Sequence, residues 1–341
     1  MSLNAPPPPA PPARRTVSAA VFVVAILVVA GVAVVATAGL YALRPASPSA
    51  GPNSIEVTDD LGRKVAVPYD PARVAVLSPS IMDIVYRLGL RSHVVGVDCY
   101  AAALGGLADD YSADQIALWN LSSSMCVQVG PTFDPTSLVN VTPQLVLAST
   151  IVSVAAVEEI TATLGIPVVM LQPPTLSGIL VDVTLVGEIF GVGAVAATLD
   201  GVLTSALYNA TELDNSLTTF PTVLVTYSVD SNGYWTFGPS TFGESLIEIA
   251  GGASISAGAT VAYPELSPSQ VLVDDPAWIV YGTGYGLNES AYAAGPLWSS
   301  FGAVQAGNVT GIDSNWLTEP DPTMILEGIP ALANVLNPGQ L

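Results

Sequence analysis

Side chains that could perform catalysis are few and poorly arranged in this sequence. His93 is the only histidine, and no G-x-S-x-G nucleophile elbow accompanies it, so a serine hydrolase is not indicated. A lone histidine also argues against a zinc or manganese site. Adjacent aspartates are ordinarily solvated surface rather than acid–base pairs, and no phosphate-binding or dinucleotide fingerprint is present. We therefore predict a protein that is not an enzyme and needs no cofactor. The aspartate pairs are Asp59-Asp60, Asp109-Asp110 and Asp274-Asp275.

Aromatic rings and hydroxyls, by contrast, recur where predicted strands end. Aromatic residues make up only 7% of the chain, yet several gather in these loops. In open α/β sheets the loops at the carboxyl ends of strands converge on a ligand. Rings with a few hydroxyls suit a bulky or flat molecule. The candidate ligand-binding residues are Ser78, Pro79, Ser80, Tyr100, Thr132, Phe133, Thr150, Tyr227, Tyr234, Trp235, Tyr263, Asn315 and Trp316.

Charge restricts the ligand and the partners. The formal net charge is −20, and all eight Lys and Arg lie at or before Arg91. A chain without a basic face does not bind nucleic acid. An anionic ligand buried against the later part of the chain would lack a cation, which is costly, so we expect a neutral or weakly charged ligand. The acidity suits an extracellular protein in high salt or at low pH, and the sequence does not choose between the two.

The elements that must position these loops form an α/β pattern. Short apolar runs bounded by Pro, Gly or Ser are typical of strands covered on both faces. Apolar residues at i, i+3, i+4 spacing predict one long helix over 193–219. The prediction is two Rossmann-like lobes with central sheets, at 54–192 and 220–341, joined by that helix. A hairpin opens the first lobe, and a helix spans Ile81 to Leu88. Predicted strands are 74–77, 145–148, 168–171, 223–226 and 278–281.

The N-terminus indicates export. Residues 1–16 are a Pro-rich leader, and the uncharged apolar segment 17–43 is longer than the roughly 20 residues that span a bilayer as a helix. Arg14 and Arg15 before it favour a cytoplasmic N-terminus. We expect a single-pass transmembrane anchor with the bulk of the chain on the extracellular side. The competing interpretation is a signal peptide cleaved near Ala36-Thr37-Ala38. A Pro/Ser/Gly linker follows at 44–53.

Two further features fit an exported protein. Cys99 and Cys126, the only cysteines, are predicted to form a disulfide, with unlinked thiols as the alternative. N-x-S/T sequons predict a glycoprotein. The predicted glycosylation sites are Asn120, Asn140, Asn209, Asn288 and Asn308.

Several motifs in order along the chain resemble one known family. The first lobe contributes 58–63 (TDDLGR), 73–80 (RVAVLSPS), 94–97 and 142–148 (TPQLVLA), and the second contributes 249–252, 263–272 (YPELSPSQVL) and 275–280. Together these motifs look like the helical-backbone solute-binding proteins of ABC importers, which serve cobalamin, ferric siderophores and haem. The similarity covers about residues 54–336.

The resemblance implies a fold and a function. Family members join two lobes by one long helix and hold the ligand between them, and Tyr100, Tyr263 and Trp316 match positions where cobalamin-binding relatives hold the corrin. The implied function is an extracellular substrate-binding protein that captures a corrinoid and delivers it to an ABC permease and ATPase. The alternatives are a ferric-siderophore or haem binding protein of the same fold and a non-transport envelope or adhesive domain.

One departure from the family affects the expected contact with a permease. Cobalamin-type relatives place a glutamate on each lobe to meet permease arginines, and the matching positions here are Thr136 and Ser269. Asp134 and Glu265 are the nearby carboxylates. Docking through the family's glutamates is therefore not expected. The alternatives are that Asp134 and Glu265 substitute for them, that the permease is contacted in another geometry, or that the ligand is captured for a different acceptor.

Overall fold

A computed structural model of the chain describes residues 53–99, 107, 111–129, 135–150, 152–284 and 287–339. The predicted leader 1–16, the apolar segment 17–43 and all but the last residue of the linker 44–53 lie outside these residues. Within the ranges described, no helix is both long and apolar enough to cross a bilayer.

The first lobe is built on a parallel sheet behind an antiparallel hairpin. Its strands β3 and β6 are buried along their whole length, as expected for continuous apolar runs in a sheet covered on both faces. The strand order is β5-β4-β3-β6-β7, with every neighbouring pair parallel. The strands are β1 (Ser54–Thr58) and β2 (Lys64–Pro68) of the hairpin, then β3 (Val74–Leu77), β4 (Val94–Cys99), β5 (Cys126–Gln128), β6 (Leu145–Ala148) and β7 (Val168–Met170).

Helices cover both faces of this sheet. The first begins at Pro79 rather than at the predicted Ile81, because proline is well suited to the first helical turn, where its missing N–H costs no bond. Helix α4 continues into a π-helical turn at Ile160–Leu164. The helices of this lobe are α1 (Pro79–Arg87), α2 (Ala113–Leu118), α3 (Pro135–Val141), α4 (Val154–Glu159) and α5 (Leu176–Ile189).

The long helix α6 (Gly193–Ser216) connects the lobes. It starts at the predicted residue and ends three residues before the predicted boundary, because Leu217 is extended. The helix packs closely on α5: a Cβ added at Gly187 would lie 2.4 Å from the Cβ of Ala196. Its buried Leu203 belongs to one apolar cluster that also contains Val76 of the first lobe and Val225 of the second. A shared core therefore binds both lobes to this helix.

The second lobe has a mixed sheet and so departs from the Rossmann-like pattern predicted for it. Strands β8, β12 and β13 are parallel, whereas β9 and β11 run antiparallel at one edge. The order is β11-β9-β8-β12-β13, with β10 also paired to β8. Its strands are β8 (Thr222–Val229), β9 (Tyr234–Thr236), β10 (Ala253–Ser254), β11 (Glu265–Leu266), β12 (Trp278–Thr283) and β13 (Val309–Asp313).

Short helices complete this lobe and connect its strands. They are α7 (Phe242–Ile249), α8 (Pro268–Asp274), α9 (Glu289–Ala293), α10 (Gly302–Ala306), α11 (Ser314–Thr318), a π-helical turn at Met324–Gly328 and α12 (Ile329–Leu336). Helix α11 follows β13 directly, so its first residues lie at the carboxyl edge of the parallel strands.

The predicted disulfide is confirmed. Cys99 and Cys126 are bonded, with Cα atoms 5.4 Å apart, and they join β4 to β5 across neighbouring parallel strands. The bond lies at the carboxyl end of β4, immediately before Tyr100 in the sequence. It closes the chain between the two strands into a covalent loop.

The sequons differ in accessibility. Asn120, Asn140, Asn209 and Asn288 are exposed. Asn308 is half-buried, and its Nδ2, the atom to which a glycan would be attached, donates a hydrogen bond to the carbonyl of Ala277 at 3.1 Å. The first four sites stay predictions on accessible surface, and Asn308 stays a prediction at a half-buried position whose amide is already hydrogen-bonded.

Candidate ligand-binding cleft

The first lobe presents hydroxyl groups at the end of its central strand. β3 ends at Leu77, and the next three residues are Ser78, Pro79 and Ser80, all buried. The Oγ atoms of the two serines are 2.7 Å apart, and the Ser78 hydroxyl does not cap α1. Pro79 instead starts the helix, which leaves the serine pair hydrogen-bonded to each other at the carboxyl edge.

The end of β6 adds a second polar group. The backbone N–H and the hydroxyl of Thr150 both donate to Oε1 of Gln172, each at 3.0 Å. Gln172 follows β7, and its own N–H donates to the carboxylate of Asp60 in the hairpin turn. Gln172 was not among the predicted site residues. Its position shortly after a buried strand is the signal that could have identified it. Tyr100, Thr132 and Phe133 lie outside the described residues.

The second lobe brings three rings together. The Phe237 ring centroid is 4.9 Å from that of Tyr227 and 6.4 Å from that of Tyr263. Burial raises the pKa of Tyr227 to about 12, and the neighbouring Tyr263 hydroxyl contributes to that rise. Phe237 is buried, whereas Tyr263 is 44% exposed. Tyr227, Phe237 and Tyr263, hereafter the aromatic wall, therefore form a packed base with one accessible ring, as a stacking surface for a ligand requires.

Two neighbouring aromatic residues of β9 have different environments. Trp235 is half-buried, and its Nε1 donates to Asp230 at 3.2 Å. Tyr234 is fully buried against Trp298 and Phe301, and its hydroxyl donates to the carbonyl of Pro296. Side chains alternate between faces along a strand, so adjacent residues cannot both face the cleft. Tyr234 is a core residue, and its prediction as a ligand contact is wrong.

The last predicted pair lies on α11. Asn315 is buried, and its backbone N–H donates to Oδ1 of Asp313 at 2.9 Å. Trp316 is half-buried and packs against the main core. Ser314, which was not predicted, is also buried at this edge, and a Cβ at Gly282 of β12 would lie 2.6 Å from its Oγ. A larger residue at position 282 would therefore require the Ser314 hydroxyl to move to another rotamer.

The positively charged side chains among the described residues are already bonded to carboxylates or to backbone carbonyls of the protein. Arg63 is paired with Asp59, Lys64 with Glu56, and Arg87 with Asp83. The guanidinium of Arg73 donates to the carbonyl groups of Val141 and Thr142, and that of Arg91 to those of Trp119 and Asn120. These side chains belong to the first lobe, and the second lobe contains no Lys or Arg.

Histidine and metal chemistry give no alternative site in the described part of the chain. His93 Nδ1 lies 2.9 Å from the Pro71 carbonyl, and its ring packs edge-on against Phe190, which indicates a structural role. No group of three or more potential metal ligands occurs among these residues. The cleft edges thus offer aromatic faces, hydroxyls and amides.

The predicted permease-facing positions are similar in the two lobes. Thr136 lies in the first turn of α3 and Ser269 in the first turn of α8, and both are exposed. Glu265 is also exposed, in β11. Each lobe therefore presents an exposed hydroxyl residue at the position that matches a glutamate of cobalamin-type relatives.

Sequence comparison identifies one related protein by name. The chain is 28% identical over 330 residues to a cobalamin-binding protein of Halobacterium salinarum, and the alignment covers 92% of this chain and 84% of that protein.

Solved structures match the two-lobe α/β fold. The vitamin B12 binding protein of Vibrio cholerae has a TM-score of 0.62 at 21% identity, over 79% of this chain and 98% of that one. A haem-binding protein from Roseiflexus has a TM-score of 0.62 at 19% identity, over 78% and 99%. A molybdate-binding protein of Haemophilus influenzae has a TM-score of 0.69 at 19% identity, over 84% and 92%. At these identities the likeness shows the fold and not the ligand.

A family model bears on the chain more directly than any single relative. The model described as periplasmic binding protein matches residues 74–316, which include the larger sheets of both lobes and helix α6 between them. The chain belongs to the periplasmic binding protein family.

Proposed function

We propose that this protein captures a corrinoid in the cleft between its lobes and delivers it to an ABC permease and its ATPase. The observation that carries the proposal is the aromatic wall of the second lobe, where Tyr263 is accessible on a base of Tyr227 and Phe237. A corrin is a large, flat ligand, and such ligands are held by ring stacking with a few placed polar groups. The name of the Halobacterium salinarum relative supports the same ligand class.

Charge favours a corrinoid over the other ligands of related folds. The second lobe has no cation, and the arginines and the lysine described in the first lobe are bonded to acids or to backbone carbonyls. Haem carries two carboxylates, and an anion buried without a partner is strongly disfavoured. Cobinamide and cobalamin need a cationic partner in the cleft less than haem does. A molecule held by rings, hydroxyls and amides is the better match.

A haem or ferric-siderophore ligand is the second candidate. It is favoured by the likeness to the Roseiflexus haem-binding protein and to an Fe3+-hydroxamate transport protein of Saccharomonospora viridis, which has a TM-score of 0.66 at 17% identity over 83% of this chain and 99% of that one. A siderophore bound by aromatic and hydroxyl groups would contact the same aromatic wall. Both candidates are non-catalytic, in keeping with the family.

Location and docking complete the proposal. The segment 17–43 anchors the protein with its lobes on the extracellular side, and the disulfide Cys99–Cys126 fits that oxidising environment. Docking to the permease uses the first turns of α3 and α8, where Thr136 and Ser269 offer hydroxyls rather than carboxylates. Such a contact depends less on salt than the glutamate–arginine contact of relatives.

A thermal-shift comparison tests the ligand class. The purified full-length chain is melted with cyanocobalamin, cobinamide, haemin or a ferric hydroxamate over a concentration series. Binding to the native state alone raises the melting temperature progressively with free ligand. We expect that rise with the two corrinoids. A rise with the hydroxamate alone would favour the second candidate, and no rise with any ligand would contradict both.

A further inference from the structure

A hydrogen-bonded ring joins the two lobes. Arg87 of α1 donates from Nε to Oδ2 of Asp83 at 2.7 Å and from a terminal nitrogen to the hydroxyl of Thr323 at 2.8 Å. That hydroxyl donates to the same Asp83 oxygen at 3.1 Å, and the backbone N–H of Thr323 does so at 3.2 Å. Asp83 and Arg87 belong to the first lobe and Thr323 to the second. These three residues, hereafter the latch, are thus mutually bonded across the lobe boundary.

The latch connects the segments that carry candidate ligand contacts. Asp83 lies one turn along α1 from Pro79 and Ser80, which begin that helix at the cleft edge. Thr323 closely follows α11, which carries Asn315 and Trp316. A displacement between Asp83 and Thr323 would therefore shift the two walls of the cleft relative to each other. Charge-assisted bonds of this kind are stronger and more directional than neutral ones.

Asp321 is a buried acid next to the latch. The salt bridges found among the described residues do not include it. Asp321 is 3% exposed and accepts a hydrogen bond from the N–H of Met324 at 2.9 Å. Burial raises its pKa well above the usual range, and the charges of Asp83 and Glu319 add to the rise, while Arg87 opposes it. These are the charged groups that act on it: two from α1 and one from the end of α11. Arg87 is thus one cation among three acids.

We propose that Asp83, Arg87 and Thr323 are positioning residues that fix the separation of the cleft walls, and that ionisation of Asp321 loosens them. While Asp321 is neutral, Arg87 is shared only between Asp83 and Thr323. When Asp321 loses its proton, a second negative charge competes for Arg87 and repels Asp83. The cleft is then tightly set while Asp321 is protonated and relaxed at a pH above its raised pKa. The expected effect on ligand affinity rests on the proposed binding function, whereas the existence of the latch does not depend on it.

Hydrogen exchange of the full-length chain tests the latch without any ligand. Thr323→Val removes the hydroxyl and keeps the shape, Thr323→Ser keeps the hydroxyl, and Thr318→Val removes a neighbouring hydroxyl that bonds only within its own helix. We expect Thr323→Val to accelerate exchange in both 79–87 and 319–328 by about fivefold, the factor for one net hydrogen bond. Thr323→Ser should resemble the wild type, and Thr318→Val should leave 79–87 unchanged. Acceleration confined to 319–328 would overturn the latch.

The pH arm uses Asp321→Asn, which cannot ionise. After correction for intrinsic exchange, wild-type protection of 79–87 should fall as the pH rises through the raised pKa of Asp321, while the variant stays level. Parallel curves would overturn the role of Asp321. The dissociation constant for cyanocobalamin should follow the same two profiles and should rise about fivefold in Thr323→Val. A wild type that does not bind cyanocobalamin would contradict the proposed ligand, and the exchange data would still decide the latch.

Discussion

Tyr263 is the most accessible ring of the aromatic wall and the residue on which the proposed ligand contact most depends. It stands on Phe237, which is buried, and beside Tyr227, whose pKa is raised to about 12. Both hydroxyls of the wall are therefore neutral at any physiological pH, and the surface presents rings and O–H groups without charge. The wall suits a ligand whose own faces are apolar.

Replacing the Tyr263 ring should weaken binding without loss of the fold. An aromatic contact contributes about 0.5–1.5 kcal/mol beyond buried area, so Tyr263→Ala should raise the dissociation constant for cyanocobalamin by about two- to tenfold in a fluorescence titration. Tyr263→Phe should retain most of the affinity. Tyr208→Ala, which removes an exposed ring of α6, is the matched control. Equal effects at positions 263 and 208 would remove Tyr263 from the site.

Asp182 is a second residue whose environment makes a measurable prediction. It is fully buried in α5, and burial together with the charge of Asp60 raises its pKa well above the usual range. The folded state therefore binds more protons than the unfolded state between the ordinary aspartate pKa, about 4, and the raised one. By linkage, stability is higher at the acid end of this window and falls as pH rises through it.

Asp182→Asn should flatten that pH dependence. Urea unfolding of the wild type should give a free energy that declines from about pH 4 upward. In the variant the decline should be smaller, because a neutral amide does not titrate. Other acids with raised pKa values, among them Asp60, Asp200 and Asp321, account for the part that remains. Asp114→Asn, at an exposed position of α2, controls for the loss of one charge. Identical slopes for Asp182→Asn and the wild type would show that Asp182 is not the titrating group.

At the residue scale the sequence indicated which loops form the cleft edges better than which side chains face it. Tyr234 and Trp235 were both predicted as contacts, yet the strand directs Tyr234 into the core. In a sheet covered on both faces, an apolar run does not reveal which of its alternating side chains point toward the ligand. Gln172 and Ser314 were missed because their roles depend on contacts with Thr150 and Gly282, which are distant in sequence.

Helix α6 is the element on which the two-lobe arrangement depends. It shares a core with both lobes and packs closely against α5 at Gly187 and Ala196. A second glycine, Gly201, lies in its interior with no atom within 4 Å of an added Cβ. Two helical glycines therefore have opposite steric surroundings, although the sequence gives no means of distinguishing them.

The same substitution at these two glycines should have opposite effects. Gly201→Ala should stabilise the protein by about 0.5–1 kcal/mol, because alanine costs less conformational entropy in a helix interior. Gly187→Ala should destabilise it by about 1–3 kcal/mol, because the new methyl group overpacks against Ala196. Urea unfolding of the two variants beside the wild type measures both. The packing account fails if Gly187→Ala is as stabilising as Gly201→Ala.

Element types were more predictable than their arrangement. The apolar runs at 74–77 and 145–148 are strands with those limits, and α6 begins where its periodicity begins. The second lobe was predicted to be Rossmann-like, yet β9 and β11 are antiparallel. Strand direction follows from the connections and from pairing between distant segments, and apolar runs carry no such information.

For the whole molecule, the distribution of charge is the feature that most restricts function. All cations lie at or before Arg91, and those described are bonded within the first lobe or at the latch. This charge distribution can be seen in the sequence alone. The packing of the two lobes against α6 cannot be predicted in the same way, because it depends on a core assembled from both halves of the chain. The charge distribution can therefore be predicted from the sequence, whereas the arrangement of the two lobes could be described only from the structure.

Isothermal titration of the full-length chain with cyanocobalamin, repeated with haemin under the same conditions, distinguishes a corrinoid-binding protein from a haem-binding one. The account predicts one saturable cyanocobalamin site per chain and an affinity for haemin at least about tenfold weaker, since its carboxylates find no cation in the cleft. Tighter binding of haemin, or no heat with cyanocobalamin, would contradict it.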